Sequence, residues 1–318
     1  MISVQVLVLR GAMLSSVAIT LDVLATANRL RVTQGRPNLF QVSVAGSGAA
    51  AVRAWFGPAS PAAPAPAVVI IPGLGMTSEA EVRARLLASD ARKAMASIRT
   101  ALSAGAEIAT SCSGSFLVAA SGVLAGRRAT TAWWLAPTFG RMFPDVALEP
   151  DAVQVRDGQI TTAGAALAQV DLMLGLVARH ADTALADQCA RYLLLDQRRS
   201  QARYMALSHF AAADPQIAKA EAWARAHLDR DISVRDVAQA AGLTPRTLAR
   251  RLQKVIGLSP VRFLQKLKVD AALELIQTSR LSIEEIASRV GYADPSTLRR
   301  LLQKNAGRSP RNLRVSRF

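Results

Sequence analysis

The sequence predicts an α/β domain, with a mainly parallel sheet flanked by helices, followed by an all-α domain with two helix-turn-helix motifs. Three observations carry this expectation. Short apolar runs of strand length alternate with helical periodicity over the first two thirds of the chain. From Gln216 onward the pattern is helical throughout. Within that last third a sixteen-residue segment recurs at an offset of 50 residues. The expected division is 1–195 for the α/β domain, 196–215 for a polar linker and 216–318 for the helical domain.

Each element has a local reason. Val4–Leu9 and Phe40–Ala45 alternate like strands, and Ser16–Arg29 places Val17, Leu21, Leu24 and Asn28 on one helical face. The four prolines of 58–67 require a loop. The run Val68–Ile71 is a buried strand closed by Pro72-Gly73-Leu74-Gly75. Ser89–Ser103 is a helix ending before Gly105, Ala106–Thr110 a strand, and Ser115–Ser121 the start of another helix. Val153–Thr162 is a hairpin across Asp157-Gly158. Helices follow over Ala165–Arg179 and Thr183–Gln197.

Composition narrows the function. With 318 residues, 51% hydrophobic and 19% charged, the chain is neither disordered, collagenous nor a long coiled coil. Thirty-nine Lys+Arg against 23 Asp+Glu give +16, which calls for a polyanionic partner, nucleic acid before an anionic membrane. Residues 216–318 hold 20 of the basic and 9 of the acidic residues, so a third of the chain carries two thirds of the surplus. Cys112 and Cys189 stand in unlike contexts and form no disulfide framework, which fits a reducing compartment. The first ten residues lack a basic leader and a cleavage site, and the most apolar stretch, 163–178, is broken by Gln169 and Asp171. A cytoplasmic protein with no membrane, metal or organic-cofactor site is expected.

The repeat is the most specific feature. Pro245–Pro260 reads PRTLARRLQKVIGLSP and Pro295–Pro310 reads PSTLRRLLQKNAGRSP, with ten of sixteen positions identical. Upstream of each copy lies a short helix, Val234–Ala241 or Ile283–Val290, then a glycine turn at Gly242 or Gly291. Thr244 and Asp294 are the expected caps, Pro245 and Pro295 the first helical residues, and the second turn is one residue longer. At about 100° per residue, Leu248, Leu252 and Val255 face inward, as do Leu298, Leu301 and Leu302. Arg246, Thr247, Arg250, Gln253 and Lys254 in one copy, and Ser296, Thr297, Arg299, Arg300, Gln303 and Lys304 in the other, are the candidate DNA contacts. Arginine suits guanine, glutamine suits adenine and lysine suits phosphate. The helix 261–277 between the copies would hold two such helices at a fixed spacing, so that one chain could address successive major grooves of double-stranded DNA. Residues from about Lys219 to Arg314 resemble the AraC/XylS-type DNA-binding domain, through Ile286-Ala287, Gly291-Tyr292 and the paired Gly-x-Ser-Pro ends.

In the first domain Ala106–Leu117 reads AEIATSCSGSFL, a strand, a sharp turn at Cys112 and a helix. A thiol at a helix N-terminus would be acidified there, and the free N–H groups would bind a carboxylate or oxyanion; a small buried turn cysteine is the other reading. Residues 1 to about 195 resemble the PfpI branch of the class I glutamine-amidotransferase-like superfamily, through Ile71-Pro72-Gly73, Cys112 with Gly114, Leu124–Thr131, and Thr162-Ala163-Gly164 followed by Asp171. The whole chain is similar to GlxA-type regulators. That resemblance implies a homodimer through the first domain and an effector pocket near Asp22, Gly73, Cys112, Ser113, Thr131 and Gly164. Superfamily enzymes often carry His after the cysteine and related regulators carry one after the paired threonines; here Ser113 and Ala132 stand there, while His180, His209 and His227 match neither place. A thiol without a base is a poor nucleophile, so the expectation is a small-molecule sensor with no catalytic residues. The competing readings are a cysteine amidase or hydratase tethered to a DNA-binding domain, and a non-specific basic nucleic-acid binder.

Overall fold

A computed structural model describes all residues except 57–64, 197, 199, 202–203, 212–213 and 307–318, and leaves the side chains of Phe56, Ala211 and 304–306 outside the description. Among the described residues, eight strands and fifteen α-helices build two compact units, Met1–Gln201 and Ala202–Phe318.

In the first unit the chain runs β1 (Ile2–Leu7), α1 (Leu14–Thr33), β2 (Phe40–Ala45), α2 (Ala49–Phe56), β3 (Val68–Ile71), α3 (Glu79–Leu87), α4 (Ser89–Ser103), β4 (Glu107–Ser111) and α5 (Gly114–Ala120). It continues through β5 (Arg128–Ala129), α6 (Ala136–Met142), β6 (Ala147–Leu148), β7 (Gln154–Asp157), β8 (Ile160–Ala163), α7 (Gln169–His180) and α8 (Thr183–Tyr192). The main sheet has the order β2-β1-β3-β4-β8-β7, parallel throughout except for β7, which pairs antiparallel with β8 at the edge. The mainly parallel sheet is as expected, and its helices lie on both faces.

Alternation along the strands divides the core. Val68 and Ile70 of β3 join Val23, Leu24 and Ala27 of α1 and Leu172, Leu176 and Val177 of α7. Val69 and Ile71 turn the other way, to Ala94 and Ile98 of α4, Phe116 and Leu117 of α5 and Phe139 of α6. Burial on both faces is why β3 reads as an unbroken apolar run. Asn28 fastens α1 to β2: its Oδ1 accepts from the Leu39 and Phe40 N–H groups, and its Nδ2 donates to the Phe40 carbonyl at 2.8 Å.

The structure departs from the sequence reading in places. α2, α3 and α6 were not expected, α1 extends beyond Arg29 to Thr33, and α8 stops at Tyr192 rather than at 197. Most of the proline-rich loop lies outside the described residues. The segment 196–215 is not a featureless connection. Gln201 is built into the first unit, and α9 (Leu207–Ala211) packs on α10 (Pro215–Ala226) in the second.

At the loop between α3 and α4, Arg85 donates two hydrogen bonds to the Asp90 carboxylate, at 2.7 and 2.8 Å. This pair holds the carboxyl well below the usual range. A depressed folded pKa contributes stability above the unfolded value near 3.9, and that contribution fades as pH falls toward the folded value. Asp90→Asn therefore flattens the acid limb of a plot of stability against pH between about 4 and 2. Urea unfolding across that range measures it, and an unchanged slope would contradict the pairing.

The second unit continues with α11 (Val234–Ala240), α12 (Pro245–Val255), α13 (Pro260–Thr278), α14 (Ile283–Arg289) and α15 (Pro295–Ala306). The repeat extends further upstream than the sixteen residues that announce it. Ser233 with Asp236 and Ser282 with Glu285 form reciprocal capping boxes at the starts of α11 and α14. Before the glycine turn the copies are therefore 49 residues apart, and after it 50, so the extra residue lies within 292–294. Val237 and Ala238 in one copy correspond to Ile286 and Ala287 in the other, all four buried. Leu248 and Leu252 correspond likewise to Leu298 and Leu302. Val255 and Leu301, read as inward-facing, are only half-buried.

Candidate nucleic-acid interface and cysteine elbow

Each helix-turn-helix turns on a glycine in the left-handed region, Gly242 at φ +69° and Gly291 at φ +70°. Thr244 Oγ1 accepts from the Thr247 N–H at 3.2 Å and caps α12, and Asp294 Oδ1 accepts from the Ser296 N–H at 2.8 Å at the start of α15. The expected caps are thus in place, and they engage neighbouring hydroxyls. Thr247 Oγ1 lies 2.9 Å from Thr244 Oγ1, and the Ser296 and Thr297 hydroxyls both donate to Asp294.

The opposite face of each helix is open. Arg246, Arg250, Gln253 and Lys254 on α12 are exposed, as are Ser296, Arg299, Arg300 and Gln303 on α15. The Lys304 side chain lies outside the described residues. Arg246, Arg250 and Arg300 make no ion pair among the described residues, whereas Arg299 donates to Glu284 of α14. Arg251, one residue off the open face, is held instead by Asp214 at 2.7 Å. The structure thus separates cations that tie the unit together from cations that face outward. Nineteen residues make α13 about 28 Å long. Phe263 and Leu267 are buried in its first half, and Val269, Ala272 and Ile276 in its second half join the core of the second copy.

In the first unit, the C-terminal ends of β3, β4 and β8 meet at Cys112. Its φ is +54°, a rare conformation for a residue with a side chain, and its N–H donates to the Ala163 and Gly164 carbonyls at 3.0 and 2.7 Å. Gly73 packs closely against the elbow: a Cβ there would stand 3.0 Å from the Cys112 Cβ, tighter than an ordinary contact. Ser113 Oγ accepts from the Leu74 and Met76 N–H groups at 3.1 and 3.4 Å, so these donors are spent inside the protein. Thr131 Oγ1 accepts from Ser115 Oγ and donates to the Cys112 carbonyl.

Three expectations need correction. Gly73, Cys112, Ser113, Thr131 and Gly164 do converge at the elbow, but Asp22 does not join them. It is exposed on α1, nine residues and about 13 Å along the helix from Met13, which stands beside Gly73. The thiol is not acidified: Cys112 is 1% exposed, and burial pushes it up against the opposing hydrogen bonds of Ser113. The elbow is also filled from within. The Gln201 side chain, from the segment read as a linker, occupies the place of a Gly164 side chain. Sequence carried no signal for that contact, since it joins residues 37 apart through a stretch without periodicity.

His180 is far from the thiol. Its Nε2 lies 3.4 Å from Glu107, at the opposite end of β4 from Cys112 and about 16 Å away along the strand. His209 and His227 belong to the second unit. Cys189 is buried as well and pushed up to about 11. Neither thiol of the native chain is expected to react with Ellman's reagent at about pH 7.5, and both react in guanidinium. One fast equivalent in the native protein would contradict this burial.

No helix among the described residues is long and apolar enough to cross a membrane. Residues 237–316 match the family described as a helix-turn-helix domain. Among named relatives, the HTH-type transcriptional regulator CdhR of Pseudomonas aeruginosa is 25% identical over 200 residues, covering 62% of this chain and 59% of CdhR. GlxA of Rhizobium meliloti, also an HTH-type transcriptional regulator, is 28% identical over 214 residues, covering 66% of this chain and 65% of GlxA. The chain therefore spans about three fifths of the length of these relatives. Among solved structures, Drosophila melanogaster DJ-1β aligns with 62% of this chain and 99% of its own at 20% identity, with a TM-score of 0.44. Residues 237–316 thus form a helix-turn-helix domain, within a chain similar to the HTH-type transcriptional regulators GlxA and CdhR.

Proposed function

We propose that the protein is a sequence-specific, double-stranded-DNA-binding transcription regulator of the cytoplasm, whose first unit senses a small molecule near the Cys112 elbow. The observation that carries this reading is the pair of outward arginines, Arg250 and Arg300, at equivalent positions of two helix-turn-helix copies joined by one rigid helix. Neither makes an internal ion pair among the described residues. An exposed guanidinium costs little to bring to a base edge, and two of them on a fixed spacer read two grooves in register. The first unit acts without catalysis, since its thiol is buried, which disfavours the thiolate, and its histidine stands at the other end of β4. It also provides the homodimer contact, as the resemblance to GlxA-type regulators implies.

Selection of duplexes from a random pool with the full chain, followed by anisotropy titration, tests the reading. One enriched motif, bound at least about 10³ tighter than random duplex, supports it. No enrichment would favour the non-specific basic binder. Turnover of an amide, aldehyde or isonitrile panel, lost in Cys112→Ala, would favour the tethered enzyme.

A further inference from the structure

The Gln201 side chain is the last one of the first unit, and it is 3% exposed. Its Nε2 faces four acceptors: the carbonyls of Pro150 at 2.8 Å, Thr131 at 2.9 Å and Ala152 at 3.2 Å, and Thr130 Oγ1 at 3.3 Å. Its Oε1 accepts from the Ala165 N–H at 3.1 Å. The surroundings thus present several oxygens on one side and a single N–H on the other. That is the complement of a primary carboxamide, which offers two donors and one acceptor. A carboxylate of the same shape would face oxygens with nothing to donate, and a tertiary amide would leave the oxygens unpaired at considerable cost.

The cradle is continuous with the elbow. Thr131, which takes one Nε2 proton on its carbonyl, also donates its hydroxyl to the Cys112 carbonyl. Gly164, whose carbonyl takes the Cys112 N–H, leaves the room that the carboxamide fills. A Cβ there would lie 2.4, 2.6 and 2.8 Å from Gln201 Oε1, Cδ and Nε2. The chain just before Gln201 is tied down too, by the Arg198 N–H to Asp171, Ser200 Oγ to the Asp151 carbonyl and the Gln201 N–H to the same carbonyl. From Gln201 the chain passes directly into the second unit.

We infer that this cradle is a primary-amide binding site in which the Gln201 carboxamide is an internal ligand, and that a small molecule bearing a primary amide displaces it and loosens the ties at Arg198, Ser200 and Gln201. The inference rests on the reading of the first unit as a sensor, and gives that sensor a ligand class. The tethered carboxamide competes with any free amide, so the wild-type chain binds amides more weakly than a chain without it.

Acetamide is the probe, because Gln201→Ala removes an acetamide-sized group from the cradle. Acetamide is expected to raise the melting temperature of full-length Gln201→Ala. It binds that variant roughly tenfold or more tighter than wild type. Acetate and N,N-dimethylacetamide at the same concentration leave the variant unmoved. Gly164→Ala, whose Cβ takes the position of the carboxamide, expels Gln201 with the residue still present. Trypsin should then cut after Arg198 several-fold faster than in wild type, and acetamide should have no effect. Acetamide should likewise speed that cut in wild type. Equal responses of Gln201→Ala to acetamide and dimethylacetamide, or wild-type cleavage of Gly164→Ala, would overturn the inference. None of these readouts contains DNA, so their failure leaves the DNA-reading helices standing, and a chain that reads no duplex could still pass them.

Discussion

Arg250→Ala and Arg300→Ala, combined in one chain, are expected to weaken binding to the selected duplex by roughly thirtyfold to twenty-thousandfold, from about 1–3 kcal/mol at each arginine. The two sites occupy equivalent positions at opposite ends of the module, so their costs should add. Each side chain is exposed and makes no ion pair among the described residues, so its removal leaves no buried partner unsatisfied and the fold intact. Arg251→Ala is the internal comparison. It breaks the 2.7 Å bond to Asp214, an acid 10% exposed, and its effect should appear in stability before it appears in DNA affinity. Lys254→Ala differs again. Without an ammonium there to meet a phosphate, binding weakens for all sequences alike and the salt slope falls by about one. Anisotropy titrations at two salt concentrations distinguish the three. Unchanged affinity in the double variant, with an unchanged unfolding transition, would show that these helices do not present the recognition face.

The outward face of α12 and α15 was legible in sequence because helical geometry and duplication check each other. A residue placed outward in one copy had to be outward in the other, and Leu248 with Leu298 fixed the phase. The sheet was legible where strands are buried on both faces, as at Val68–Ile71. Reading failed where the governing contact is long-range and aperiodic. α3 and α6 are short. The one strong local cue for α3 is its cap, Ser78, whose hydroxyl accepts from the Glu81 N–H, and that residue is an ordinary serine until the helix behind it is seen. The elbow shows the same limit. Cys112, Gly73 and Gly164 could be placed together by strand order, but the hydrogen bonds that consume the Leu74 and Met76 donors could not. Gln201 sits in a polar stretch whose composition says only that it is not a strand or an apolar helix.

Gly242 and Gly291 occupy the same place in the two copies, and their replacement by alanine should have unequal consequences. Both have φ near +70°, where a Cβ costs about 1–2 kcal/mol. Around Gly242 a Cβ would meet nothing within 4 Å, so the cost there ends with the backbone. Around Gly291 it would stand 2.5 Å from the Leu228 carbonyl oxygen and 2.8 Å from that of Arg230, and main chain cannot swing aside as a side-chain tip can. Lys268 Nζ also donates to the Gly291 carbonyl at 2.8 Å and lies 5.0 Å from the centre of the Tyr292 ring, so a shift of the turn would disturb both interactions. Overpacking of this kind adds about 1–3 kcal/mol, giving a total of roughly 2–5 kcal/mol for Gly291→Ala against about 1–2 for Gly242→Ala. Urea unfolding followed by tryptophan fluorescence of Trp223 in α10 measures both. In DNA binding the order should be the same, because a displaced second turn carries α15 and Arg300 out of register with α12. Equal destabilisation by the two variants would mean that the second turn is not wedged against the chain after α10, and that the spacing of α12 and α15 is set by α13 alone.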